Sequence, residues 1–417
     1  MTNPIPLCSG ISLHIIPSDQ FTTNILCVLI RRPLLRREVT QTALLPPLLS
    51  RGPAKYPTIQ DMRLAAESLQ GSVFDAQIIK KGEQQILQFF LECIDGDDTL
   101  KSRGLDFLHE IILSPRVSGH GFYDPYVMGE IENLKNRIEG RINNKSEYTK
   151  SICLEAMCEN EPFGIYGDGY LEDLSEASAA ITAEGLLDHY HDVLAHSPID
   201  FIALGRWDEN WLKKQLDMQL GYFSSGRVDI PHPALKPARA DRQIIQLDHG
   251  TAQGNLCIGL RGKVNPVGKE FIHFQLANEI LGSGPNAKLF VNIREKESLC
   301  YAIYSSIYRF KSLMCIQAGT EPDKLEHVMA LAEKEVDALK QGHFSEAELH
   351  SARQSLAKRW RAMQDNPSAC VDFYASQYLL GDTHTLDELL TQVENASRSG
   401  VTQAAAQLNI DTAVMMR

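Results

Sequence analysis

Two side chains of this 417-residue chain have types and spacing that could do chemistry together: Arg294 and Tyr301, seven positions apart within residues 289–304. A guanidinium offers a planar fork of N–H donors and a phenol offers one O–H donor. Converging on one point, they suit a peptide carbonyl or the oxyanion that develops from it. On residue types alone the pair reads first as a surface charge and a packed ring, because satisfied packing positions outnumber functional ones. Residues up to Ser298 follow helical spacing, and after it Tyr301, Ile303, Tyr304 and Ile307 read as a strand. A helix-to-strand junction must therefore position the pair.

Other constellations are weaker. The densest histidine cluster is His189, His191 and His196, with Asp188 beside it. On a helix His189 and His191, two apart, point to different faces and cannot chelate one ion, so the cluster reads as helix surface. Gly164, Gly167 and Gly169 read as a turn, since no strand leads into them and their spacing is the reverse of a dinucleotide loop. There is no Gly-x-Ser-x-Gly elbow and no Walker glycine-lysine loop. Tyr304 and Tyr308 read as strand packing and not as a base-stacking platform.

Composition narrows the classes further. Apolar content of 43% and charged content of 23% are those of a globular protein, and 53 acidic against 41 basic residues give a formal net charge of −12. That balance argues against a nucleic-acid partner and against a polybasic membrane anchor. The first residues show no basic segment followed by an apolar run, and no stretch reaches the ~18 apolar residues of a membrane span. A cytoplasmic protein is expected on that basis. Nine scattered cysteines without a Cys-x-x-Cys suggest reduced thiols and neither a disulfide framework nor a zinc ribbon.

The length favours two domains of about 200 residues each. Strands are predicted at 11–16, 24–30, 72–79, 85–93 and 200–205, and helices at 40–49, 58–69, 105–113, 126–142, 147–158, 182–194 and 209–220. Pro231, Pro233 and Pro237, with Gly226 nearby, give residues 224–241 the composition of a linker. The same order then begins again. The sequence around Ile25 to Arg32 is echoed from Asn255 to Gly262. The window from Phe122 to Ile138 superimposes without gaps on that from Phe344 to Trp360, an offset of 222, matching Val127 with Leu349, Leu134 with Leu356 and Arg137 with Arg359. A tandem duplication follows. The fold class expected is α/β (α+β): a first repeat domain over 1–223, a linker over 224–241 and a second repeat domain over 242–417. Each domain would have a mixed, largely antiparallel sheet with helices on one face.

Leu289-Phe-x-x-x-Arg-Glu-Lys-x-x-Leu-x-Tyr301, preceded by Ile280-Leu-Gly-Ser-Gly284, resembles the second-domain signature of pitrilysin/insulinase-type zinc peptidases. In the first half the likeness takes in Ser50-Arg-Gly-Pro-Ala-Lys-Tyr-Pro57, Phe74-Asp-Ala76, Pro162-Phe-Gly164, Leu171-Glu-Asp-Leu174 and Ile181-Thr-Ala-Glu184, so it spans essentially the whole chain. The resemblance implies two repeated α/β domains forming half of a clamshell around a peptide chamber. It also implies that Arg294 and Tyr301 contact the substrate backbone. Catalytic members carry His-x-x-Glu-His on a first-domain helix, where two imidazoles at i and i+4 hold zinc and the glutamate polarises its water. Anchored on Gly52, the matching positions here are Ala43, Leu44, Leu45, Pro46 and Pro47, none with a ligand atom. The two prolines are expected to break or reshape that helix. Glu132 and Glu139 keep the spacing of the family's second-helix carboxylates, making Glu139 a candidate relic of the third ligand.

The resemblance thus implies a chain that is no enzyme by itself. The leading expectation is a catalytically inactive, substrate-binding subunit of a heterodimeric peptidase. Its partner would be a related zinc-bearing subunit, its ligand a peptide, and the zinc would sit on that partner with no cofactor in this chain. A homodimer is the alternative assembly. The alternative functions are a non-enzymatic scaffold or peptide-holding protein of the same fold, and an autonomous peptidase with an unrecognised metal site.

Overall fold

A computed structural model describes residues 4–175, 181–219, 227–250 and 252–417. Residues 224–226 of the expected linker and Leu220 of the expected helix before it lie outside the described residues.

Thirteen strands are described. The first eight are β1 (Ile5–Cys8), β2 (Ile11–Pro17), β3 (Thr23–Pro33), β4 (Val73–Lys81), β5 (Gln84–Ile94), β6 (Val117–Ser118), β7 (Gly121–Phe122) and β8 (Ile199–Gly205). The other five are β9 (Gln243–Leu247), β10 (Gly254–Arg261), β11 (Cys300–Tyr308), β12 (Leu313–Thr320) and β13 (Asn409–Met416). One sheet runs β1-β2-β8-β3-β5-β4 and the other β11-β12-β10-β13-β9, while β6 and β7 form a small ribbon. Read from the same end, β2-β8-β3-β5-β4 and β9-β13-β10-β12-β11 are one topology. In each sheet a single pair is parallel, β2 with β8 and β9 with β13, and every other pair is antiparallel. The duplication inferred from sequence is therefore present in strand order and strand sense. Each repeat leaves a long open edge, β4 in one and β11 in the other.

The helices repeat as well. Val127, Glu130, Leu134 and Ile138 form the buried stripe of the Asp124–Glu139 helix; Leu349, Ala352, Leu356 and Trp360 are buried on the Glu346–Met363 helix. Each of the four lies 222 positions from its counterpart, so one apolar periodicity was copied together with the element that buries it.

Contacts divide the chain into two compact units that exchange short segments. One comprises Met1–Glu139, Ile165–His232 and Pro367–Ala375; the other comprises Gly140–Gly164, Pro233–Asn366 and Ser376–Arg417. The sequential halves are thus not the compact units, because the Lys145–Met157 helix belongs with the second sheet. It lies on the face carrying Cys257 and Val414, where Cys153 and Met157 complete an apolar cluster. Gly259 makes that approach possible: a Cβ there would sit 2.1 Å from the Met157 sulfur and 2.9 Å from that of Cys153.

In the first unit a core of strand residues such as Leu26, Val28, Leu87 and Phe89 meets Leu44, Leu48, Leu105 and Ile112 from helices. The Val39–Ser50 helix carries Pro46 and Pro47 in its interior without interruption. This corrects the expectation of a broken helix. The two missing N–H groups cost hydrogen bonds, but Ala43, Leu44, Leu45, Leu48 and Leu49 are all buried and hold the segment helical against the core. Among the described residues no helix is long and apolar enough to cross a membrane.

Candidate functional site

Leu289 and Ile293 are buried and fix the segment that carries Arg294. Phe290–Lys296 winds as a π-helical turn, a widened geometry found frequently at functional sites. Ser298 ends it with φ of 54°, in the left-handed region, and the Leu299 N–H closes the turn by donating to the Ile293 carbonyl at 3.2 Å. The Thr320 hydroxyl donates to the Leu299 carbonyl, tying the turn to β12.

The chain then enters β11, and its pairing with β12 slips between Cys300 and Ala302. Tyr301 is the residue left over by that slip. Such a bulge re-aims its side chain, and Tyr301 is 58% exposed. Arg294 is exposed too, with its guanidinium 4.9 Å from the centroid of the Phe290 ring. Burial raises the Cys300 thiol, and the positive charge of Arg294 opposes that rise. The structure thus places Arg294 and Tyr301 at one junction on an open sheet edge. Among the described residues neither has a hydrogen-bond partner.

The glycine-bearing turn before this segment is packed from beneath. A Cβ at Gly282 would lie 2.6 Å from the Ser305 nitrogen, so only glycine lets the turn rest against β11. Ser305 donates to Asn278 at 2.7 Å, and the buried Glu279 carboxylate is ion-paired with Arg359.

The Val39–Ser50 helix of the first unit, where the resemblance sets the zinc motif, has no such chemistry. Ala43, Leu44, Leu45 and Pro46 are buried and Pro47 is half-buried, and none offers a donor atom to a metal. The family's zinc does not fit these residues. Glu132 and Glu139 are both exposed and lie off the buried stripe of their helix. The carboxylate on that stripe is Glu130, which is ion-paired with Arg51.

His189 departs from the helix-surface reading. It is 9% exposed, and its Nε2 lies 2.9 Å from the Thr42 hydroxyl. Burial lowers its proton affinity below the usual imidazole range, with Glu38 and Asp192 pulling it up and Arg32 down. One atom each of Glu38, His189 and Asp192 lie within 4.8 Å of one another. His191 is exposed, as expected. The signal missed in the sequence is His189-x-x-Asp192-x-x-x-His196, a spacing that shares one helical face.

Comparisons with known proteins agree with this architecture. Residues 180–356 match the family described as peptidase M16 inactive domain. A protein named probable inactive metalloprotease YmfF, from Bacillus subtilis, is 27% identical over 98% of this chain and 96% of its own length. The crystal structure of a conserved protein from Enterococcus faecalis superimposes with a TM-score of 0.89 at 25% identity, covering 100% of this chain and 98% of that one. A peptidase M16 inactive domain from Pseudomonas fluorescens gives 0.80 at 16% identity, with coverage of 100% and 98%. Over essentially its whole length this chain thus resembles proteins of the M16, or pitrilysin/insulinase-type, peptidase family. The likeness is to inactive-type proteins, and the positions that align with His-x-x-Glu-His, Ala43 to Pro47, carry no metal ligand.

Proposed function

We propose that this chain is the substrate-gripping, catalytically silent subunit of a two-chain zinc peptidase. The observation that carries the reading is an asymmetry between the repeats. The helix that holds zinc in catalytic members is packed with Ala43, Leu44, Leu45 and Pro46, whereas Arg294 and Tyr301 stand exposed and unpaired on an open edge. Two donors kept free of internal partners are available to a peptide carbonyl or to charge developing on it in the partner's active site. The partner in this reading is a related chain with an intact His-x-x-Glu-His. The test is turnover of the assembled pair: Arg294→Ala lowers it on the order of a hundredfold, the loss typical of one oxyanion donor. An unchanged rate would exclude Arg294 from the chemistry.

A peptide-holding role without catalysis is the second reading, favoured by a separate feature. Beside the open strand β4 lies a groove of ≈ 550 Å³ whose walls include Ile59, Met62, Val73, Phe74 and Phe107. An open strand edge beside a groove with apolar walls is the geometry for adding an extended peptide to a sheet. In this reading labelled peptide binds the chain alone, and substitution of Arg294 or Tyr301 changes nothing.

A further inference from the structure

We propose that Glu38, His189, Asp192 and His196 form a binding site for one divalent transition-metal ion of the zinc class, at the N-terminal end of the Val39–Ser50 helix.

Glu38 immediately precedes that helix, and the other three residues project from the Ala183–His196 helix at positions i, i+3 and i+7. Carboxylate and imidazole donors in this mixture suit zinc and its first-row neighbours. The hydrogen bonds divide the carboxylate oxygens in a telling way. Arg32 reaches Glu38 Oε2 at 2.8 Å and Asp192 Oδ2 at 2.9 Å with one nitrogen. His196 Nδ1 lies 2.9 Å from Asp192 Oδ1.

Glu38 Oε1 is left buried without any partner, on a residue only 8% exposed. An orphaned carboxylate oxygen is costly to keep, and a cation coordinated there would satisfy it. Arg32 then acts as an outer donor: it fixes each carboxylate by one oxygen, leaving Glu38 Oε1 free and Asp192 Oδ1 beside His196 Nδ1, a contact that metal binding would replace. Ligands of a tetrahedral zinc stand about 3.4 Å apart; one atom each of Glu38, His189 and Asp192 already lies within 4.8 Å of the others, and His196 reaches the group through Asp192. Entry is open, since the side chains of Asp192 and His196 are 47% and 48% exposed.

The experiment is a titration of the full chain, first freed of metal by chelation, with Zn²⁺ by calorimetry and with Co²⁺ by visible absorption. The proposal expects about one equivalent bound. Asp192→Asn and His189→Gln should each weaken binding by at least about a hundredfold, given that even outer-shell losses cost 10–100-fold. His191→Gln, on a different face, leaves binding unchanged. Asp192 is half-exposed, so its variant keeps the fold, which circular dichroism checks. Absence of Zn²⁺ binding, or binding unaltered in both ligand variants, overturns the proposal. The site does not depend on the Arg294 reading: Arg294→Ala binds the ion as the unmodified chain does, so the two proposals fail separately.

Discussion

The guanidinium of Arg294 lies over the ring of Phe290, one helical turn earlier, 4.9 Å from its centroid. That stacking supports the long side chain, and among the described residues its N–H donors have no hydrogen-bond partner. Arg294→Ala should therefore be nearly silent in stability, costing no more than about 1 kcal/mol for an exposed cation–π pair, while lowering turnover of the complex steeply. Thermal unfolding and steady-state rates on the same variant separate the two effects. Phe290→Ala should reproduce part of the rate loss by freeing the guanidinium to move.

The copied helical stripe makes a second prediction. Leu134→Ala and Leu356→Ala occupy equivalent positions, both fully or nearly fully buried, and each should cost about 2–5 kcal/mol. Glu132→Ala, on the exposed face of the Asp124–Glu139 helix, should stay within about 0.5 kcal/mol. Urea unfolding of the three variants checks this.

Rebuilding the lost motif should fail. Ala43→His, Pro46→Glu and Pro47→His together place an imidazole where Ala43 is fully buried, and overpacking of that kind costs about 1–3 kcal/mol. The carboxylate facing that helix, Glu130, is already committed to Arg51. The triple variant should unfold at lower temperature and show no peptidase activity in Zn²⁺.

Acid should weaken the second unit through Glu161. Its side chain is 3% exposed between Arg261 at 2.5 Å and Lys311 at 2.7 Å. Burial alone would raise its carboxyl, but Lys311 and then Arg261 outweigh burial and hold it below the usual glutamate range. A depressed carboxyl contributes stability that is present above its unfolded value, near 4.5, and is lost as pH falls through the folded value. Glu161→Gln should cost about 3–5 kcal/mol at neutral pH, because it leaves two buried cations short of a partner, and should flatten the acid limb of the stability profile.

Much of this was legible in the sequence because it rests on short-range periodicity. The apolar run of β3, the repeat of Leu134 in Leu356, and the junction that carries Arg294 and Tyr301 each follow from spacing within one element. The rest depends on tertiary contacts. Burial of the Val39–Ser50 helix overrides two prolines that local rules would make breakers. The Lys145–Met157 helix packs in the opposite unit from its sequence neighbours, and only the bare face at Gly259 hints at why. Glu130 rather than Glu139 faces inward, a difference that a carboxylate spacing of seven cannot reveal. Sequence proximity sets His189 beside His191, whereas the groups it meets in the fold are Thr42, Glu38 and Asp192.

The central claim is that this chain completes another chain's active site. It is tested most directly by measuring peptide cleavage for the purified chain alone, for a related chain with an intact His-x-x-Glu-His alone, and for their mixture. Cleavage that arises only in the mixture, and falls with Arg294→Ala, is the predicted result. A mixture no more active than its zinc-bearing component, or cleavage by this chain alone, would contradict it.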